Sequence, residues 1–289
     1  MKQLTLSILA LILLCNISSA QEEIKLYKNK PSESNGITAT ETMLQGDFVI
    51  NISTPRIFFY PAPKEKNTGT AVLICPGGGY AGVSAIKEGE EISKWFNELG
   101  VSAFVLYYRM PNGHTEIPLK DAQTALEIIN KRAKKWNIEK GKIGIMGFSA
   151  GGHLASTVGT HFKSKKQRPD FMILIYPVVT MKNELTHVGS RENLLGKNPT
   201  DKLISLYSNE LQVTKLTPPT FVIHAFDDKV VPIENSKQLL KALQDNNVPA
   251  ELHTFDIGGH GFGMRKQGIP ADYWPDLLKI WLKSNRLIN

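Results

Sequence analysis

Five short runs of this chain, residues 70–75, 101–107, 142–146, 171–176 and 220–225, are apolar at nearly every position. A strand with polar residues on one face can lie at the surface, but a run without alternation has to be covered on both faces. Between and after these runs come stretches with helical spacing, at 88–99, 118–136, 201–207, 233–244 and 273–282, and a sixth strand is predicted at 251–255. Alternation of this kind predicts an α/β architecture, a mostly parallel sheet with helices on both faces. Residues 47–60 alternate instead and are rich in β-branched and aromatic side chains, so they predict one antiparallel strand at a sheet edge, ended by Pro61. Residues 21–46 carry little pattern, and 178–217 are the least regular part. No repeat or long linker divides the chain, and 21–289 is expected to be one domain.

Gly147-Phe148-Ser149-Ala150-Gly151-Gly152 joins the apolar run ending at Met146 to a helix beginning near His153. The pattern is Gly-x-Ser-x-Gly in a strand–turn–helix context. A serine there has its hydroxyl pushed clear of the sheet, and the flanking glycines admit neighbouring backbone without a Cβ clash. The helix start aims free N–H groups and its positive dipole end at the same place. Such a turn suits a nucleophile that attacks a carbonyl. Gly77-Gly78-Gly79, after the first apolar run, and the amide of Ala150 are candidate donors to the resulting oxyanion.

The first twenty residues read as a secretory signal peptide: Met1-Lys2, an apolar stretch from Leu4 to Leu14, then Ser18-Ser19-Ala20 before polar Gln21. The stretch is too short and wrongly flanked for a membrane span. Cleavage after Ala20 is expected, placing the protein outside the cytoplasm, secreted or periplasmic. Lipidation at Cys15 is the alternative, disfavoured by the bulky Leu14 before it. Cleavage removes Lys2 and no acid, lowering the formal charge from +7 to +6, and leaves Cys75 without an intrachain disulfide partner. Basic clusters at 131–135 and 163–166 lie near predicted helix ends, where cations are favoured, and no nucleic-acid motif accompanies them.

A serine nucleophile needs a base and an acid to orient it. Of seven histidines, His260 lies in Gly258-Gly259-His260-Gly261-Phe262-Gly263, directly after the last strand. His153 sits one turn into the helix after Ser149 and would point away. His224 ends a strand and reads as structural, and His114, His161, His187 and His253 have no supporting context. Asp227 and Asp228, after the strand 220–225, both qualify as the acid; either would also serve as a turn or cap residue. All these groups follow strands, where parallel sheets place ligands. The histidines lack ligand spacing and only one mature cysteine remains, so no metal site and no cofactor are expected.

Pro76-Gly77-Gly78-Gly79-Tyr80, Tyr108-Arg109, Gly147-Phe148-Ser149-Ala150-Gly151-Gly152-His153, Asp228-Lys229-Val230-Val231-Pro232 and Gly259-His260-Gly261 resemble the secreted α/β-hydrolase esterases. The resemblance, strongest toward acetylxylan esterase-like carbohydrate esterases, runs from about residue 69 to the end. It implies the α/β-hydrolase fold with no large lid domain, and the triad order serine, aspartate, histidine. Carried over, it implies Ser149 as nucleophile, Asp228 as orienting acid and His260 as base, with Gly78, Gly79 and Ala150 as oxyanion donors. The hormone-sensitive-lipase group has His-Gly-Gly-Gly where this chain has Pro76-Gly77-Gly78-Gly79, and a helical lid before that motif, for which 21–68 here look too strand-like.

The activity so implied is a serine esterase releasing short acyl groups, acetyl foremost, from xylan or other hemicellulose sugars. The partner is then an acylated carbohydrate, with no nucleic acid, no membrane span and an oligomeric state left open. Tyr80, Tyr108, Phe262 and Trp274 are candidate aromatic faces for a sugar, although single aromatics are more often core. The competing readings are a general carboxylesterase on small lipophilic esters, a prolyl-oligopeptidase-like peptidase (for which a propeller-sized extension is missing), and a hydrolase-fold binding protein without catalysis.

Overall fold

The computed structural model describes residues 21–289 except residues 30 and 32. The proposed leader, 1–20, lies outside the described residues. Eleven strands and seven α-helices are present among the described residues. The N-terminal part holds β1 (Glu22–Lys25), β2 (Thr42–Met43), β3 (Phe48–Ile50) and β4 (Arg56–Tyr60). Then follow β5 (Ala71–Cys75), β6 (Gly82–Ser84), α1 (Glu91–Glu98), β7 (Ser102–Tyr107) and α2 (Glu116–Arg132). The central unit is β8 (Ile143–Phe148), α3 (Ser149–Thr160) and β9 (Met172–Ile175). After α4 (Val188–Leu195) and α5 (Asp201–Tyr207), the chain closes with β10 (Thr220–Ala225), α6 (Glu234–Asp245), β11 (Ala250–Phe255) and α7 (Trp274–Ser284).

Eight strands form one sheet in the order β1-β4-β7-β5-β8-β9-β10-β11. From β7 to β11 every pairing is parallel; β4 is antiparallel to both of its neighbours, β1 and β7. The apolar runs explain themselves once both faces are covered. Along β5, Ala71, Leu73 and Cys75 enter the core beneath α2, α3 and α6, while Val72 and Ile74 enter the core beneath α1 and α7. Met172 and Leu174 of β9 divide from Ile173 and Ile175 in the same way. Period two is thus obeyed, but with apolar side chains on either side it leaves no polar trace in the sequence.

One expectation fails in detail. Residues 47–60 are not a single edge strand. β3 pairs with β2 and β6 in a separate three-stranded antiparallel sheet, whereas β4 lies inside the main sheet and β1 forms its edge. The break has a local cause: Asn51 adopts φ 60°, turning the chain, and Pro55 has no N–H to continue a ladder. Within 178–217, α5 falls where helix was expected, and α4 is an additional helix, capped by His187, whose ring accepts the Ser190 amide.

The Tyr108-Arg109 segment ties the N-terminal stretch to α2. Buried Arg109 makes a two-pronged ion pair with buried Asp121, Nη2 to Oδ1 at 2.7 Å and Nε to Oδ2 at 2.9 Å. The Tyr27 hydroxyl donates to the same carboxylate at 3.0 Å.

Candidate active site

β8 passes into α3 without an intervening loop residue. Phe148 is extended at φ −115° and ψ 133°, and Ser149 opens the helix at φ 51°, a left-handed conformation that ordinary residues adopt only under constraint. The constraint is the packing of the turn. A Cβ on Gly151 would stand 2.0 Å from the carbonyl oxygen of Cys75, and one on Gly147 would stand 2.1 Å from that of Gly151. Helix and strands approach so closely that only glycine fits, and the serine between them is held at a single attitude.

The Ser149 Oγ lies 2.8 Å from Nε2 of His260, whose Nδ1 lies 2.7 Å from Oδ2 of Asp228. Asp228 follows β10, and its Oδ1 accepts the amides of Val230 and Val231, each at 2.9 Å. Burial by itself would push this carboxyl up; hydrogen bonds from His224 and His260, the His260 charge and the Val231 amide outweigh it and hold Asp228 well below the usual carboxylate range. His224 is fully buried with Nε2 2.9 Å from the Val231 carbonyl oxygen and Nδ1 2.7 Å from Ser236 Oγ. It serves the turn, as its place in the sequence suggests.

The neighbouring Asp227 has a different task. Its Oδ1 accepts the amides of Gly258 at 2.9 Å and Gly259 at 2.7 Å. It therefore anchors the near end of the histidine loop. The far end is held by Trp274, whose indole N–H donates to the carbonyl of Gly263 at 2.6 Å.

Across the cleft, Gly78 at φ 143° and Gly79 at φ 62° turn the chain after β5, and a Cβ on Gly78 would meet the Gly82 carbonyl oxygen at 2.3 Å. The Gly77 amide is taken up by Glu88. The amides of Gly78, Gly79 and Ala150 have no acceptor among the described residues. Asn193 of α4 donates to the Gly79 carbonyl at 2.8 Å and steadies that loop. Gly77, Gly78, Gly79, Ser149 and His260 line an open cavity of about 240 Å³, with Glu88, His187 and Val230 also on its walls. A roomier concavity of about 550 Å³ beside Tyr273 contains none of the candidate residues.

Four expected sugar faces are corrected. Tyr80, Tyr108, Phe262 and Trp274 are at most 3 % exposed and present no ring to a ligand. Their polar atoms are already engaged: the Tyr80 hydroxyl with His153 Nδ1 at 2.8 Å, the Tyr108 hydroxyl with the Pro76 carbonyl at 2.9 Å, and the Trp274 indole with Gly263. Phe262 packs edge-on against Tyr176. Buried aromatics with satisfied polar tips are core. Conversely, Glu88, Tyr176 and His187 reach the site without a signal in the sequence. A glutamate in a helical stretch reads as a solvated face, and a histidine far from any motif reads as nothing.

The BD-FAE family profile matches residues 58–243. That span runs from within β4 to within α6 and holds both the serine elbow and Asp228. The chain belongs to the BD-FAE family of α/β-hydrolases. The acetylxylan esterase of Xylanibacter ruminicola is 39% identical over 248 residues, covering 82% of this chain and 50% of that one. Endo-1,4-beta-xylanase B of Butyrivibrio fibrisolvens is 39% identical over 221 residues, 72% of this chain and 34% of that one. This chain thus spans half or less of the length of these two curated relatives. The crystal structure of an acetyl ester-xyloside bifunctional hydrolase from Caldicellulosiruptor lactoaceticus superposes with a TM-score of 0.80 at 36% identity, over 93% of this chain and 97% of that one. Among the described residues, no helix is long and apolar enough to cross a membrane, and no group of three or more His, Cys, Asp or Glu side chains is placed to hold a metal ion.

Proposed function

We propose that the protein is a serine esterase that removes short acyl groups, acetyl foremost, from xylan or related hemicellulose sugars, with residues 21–289 as its catalytic domain. The observation that carries this reading is the continuous relay Ser149–His260–Asp228 beside a cavity lined by Gly78 and Gly79, whose amides, like that of Ala150, have no acceptor among the described residues. Ser149 attacks the ester carbonyl as His260 takes its proton, and Asp228 holds the imidazole in the required tautomer and stabilises its charged form. The tetrahedral oxyanion forms against the three amides. Collapse expels the sugar hydroxyl, reprotonated by His260, and leaves an acyl-enzyme that water releases by the reverse sequence.

The acyl preference is supported by the space. Pockets for drug-sized ligands run to roughly 300–1,000 Å³, and a cavity of about 240 Å³ is below that range. It suits a small acyl group with the bulky alcohol outside. His187 on the cavity wall comes from the segment 178–217, whose charge-rich composition supports a polar rim for a sugar chain. The names of the two bacterial relatives and of the Caldicellulosiruptor structure support acetylated xylan as the substrate class. The leader read at residues 1–20 supports export to where such a polymer is met.

The test is a substrate panel with acetylated xylo-oligosaccharides, a feruloylated oligosaccharide and aryl esters of increasing acyl length. Each methylene that a pocket fails to accommodate typically costs ~1–3 kcal/mol of discrimination. Acetyl esters should therefore be cleaved much faster than chains of eight or more carbons, with acetate released from the xylo-oligosaccharides. Equal or greater activity on long-chain esters without acetate release from xylan would make the protein a general carboxylesterase instead.

A further inference from the structure

Glu88 stands on the wall of the same cavity, only 5 % exposed, and has no part in the acyl-transfer scheme. It lies in a wide π-helical turn, Ile86–Glu90, that precedes α1. Turns of this kind are uncommon and gather at functional sites. Its two oxygens serve two different loops. Oε2 accepts the Gly77 amide at 2.7 Å, and Oε1 accepts the Tyr176 hydroxyl at 2.7 Å.

Tyr176 carries the connection further. It directly follows β9 at φ 38°, a strained conformation for an aromatic residue. Its hydroxyl oxygen accepts the Gly263 amide at 3.2 Å, and its ring lies 4.8 Å from the imidazole of His260, centroid to centroid. One buried carboxylate therefore touches the glycine loop directly and the histidine loop through one intermediary. Burial pushes its carboxyl up, while the Tyr176 and Gly77 hydrogen bonds, the His260 charge and Lys87 oppose that shift. Both oxygens act as acceptors, an arrangement that an ionised carboxylate satisfies and an amide does not.

We propose that Glu88 is a positioning residue that orients the oxyanion loop through Gly77 and the His260 ring through Tyr176, so that both halves of the catalytic machinery are set by one side chain. This rests on the esterase reading above. With the Gly77 peptide locked, the following amides at Gly78 and Gly79 cannot swing away from the cavity. With the Tyr176 hydroxyl locked, its ring forms a fixed wall behind His260. A Glu88→Gln side chain keeps the size and one acceptor, but its NH₂ must face either an amide N–H or a hydroxyl that already accepts from Gly263.

The experiment uses the purified protein with an aryl acetate, alongside fluorophosphonate labelling of Ser149, whose rate reads the oxyanion donors directly. Loss of one oxyanion donor typically lowers kcat by about 10²–10³-fold, so imperfect positioning by Glu88→Gln should lower it by roughly 10–100-fold. KM should change little, thermal stability should stay close to wild type, and labelling should slow in proportion to kcat. Tyr176→Phe, which cuts only the histidine branch, should lose less. The double variant should lose less than the product of the two single effects, because both act through the same carboxylate. A wild-type kcat and labelling rate in Glu88→Gln would overturn the proposal, as would a loss confined to KM or matched by a fall in stability. Wild-type protein that neither hydrolyses the acetate nor takes the label would instead overturn the esterase reading.

Discussion

The elbow after β8 and the loop after β11 bring two partners within 2.8 Å of each other by opposite means. The elbow is positioned by its own residues. Gly147 and Gly151 allow strand, turn and helix to interlock, and the left-handed φ of Ser149 follows from that contact. The histidine loop has no regular structure and is held from outside: by Asp227 at Gly258 and Gly259, and by Tyr176 and Trp274 at Gly263. A proposed nucleophile built into the core and a proposed base suspended over it should fail differently. Damage at the elbow should reach the fold, whereas damage to the tethers should reach only the chemistry.

The largest effects should come from the reacting groups themselves, where the two regions act as one. Ser149→Ala and His260→Ala should each lower ester hydrolysis by about 10³-fold or more in folded protein, since triad members are not independent. Asp228→Asn should approach the same loss by favouring the wrong imidazole tautomer. Turnover near wild type in the purified Ser149→Ala or His260→Ala protein would remove the serine mechanism altogether.

The next test separates the regions. Gly151→Ala drives a methyl into the Cys75 carbonyl and should lower unfolding stability by about 1–3 kcal/mol, measured by denaturant titration. Asp227→Ala leaves the sheet untouched but frees two loop amides. It should lower kcat by roughly 10-fold with less than about 1 kcal/mol of stability, because imprecise placement of a catalytic group is expensive in rate. Equal stability losses in the two variants would erase the contrast. A greater loss of turnover at Asp227 than at Asp228 would mean that the orienting acid has been misassigned.

The smallest effect concerns pH. His153 of α3 is fully buried, and burial lowers its pKa to about 4, against a Tyr207 carbonyl that favours the charged form. An unfolded chain binds the proton near the ordinary value of about 6.5, so the unfolded state holds more protons between those values. The stability associated with a neutral His153 is then complete above that ordinary value and declines as pH falls toward about 4. A His153→Gln variant should show a flatter loss across this window in denaturant titrations. An unchanged slope would mean that the elbow helix makes no contribution to acid sensitivity.

Much of the architecture was legible because its causes are local. Apolar runs such as 70–75 and 171–176 predict strands covered on both faces, and both are strands of the parallel sheet. Gly-x-Ser-x-Gly between strand and helix signals an elbow, since the contacts requiring glycine lie a few residues apart or on the adjacent strand. By the residues alone the two aspartates stand on equal terms, and only the resemblance to known esterases singles out Asp228. In the structure Asp228 faces His260, while Asp227 holds the loop that carries it. The interruption of 47–60 was present in the letters Asn51 and Pro55, but alternation across the break imitates one continuous strand.

What the sequence by itself determined was which segments alternate as strand and helix, and where a serine is forced into a strained turn. Periodicity and glycine placement are properties of neighbouring residues. Only the tertiary structure decided which side chains face the cavity. Glu88 and Tyr176 are 88 residues apart and meet because β5 and β9 flank β8 in the sheet. Tyr80, Tyr108, Phe262 and Trp274 stand beside the motifs in the chain, yet their rings turn inward because packing across the sheet faces encloses them. The direction of a side chain depends on elements that arrive from elsewhere in the chain, and no local pattern records their arrival.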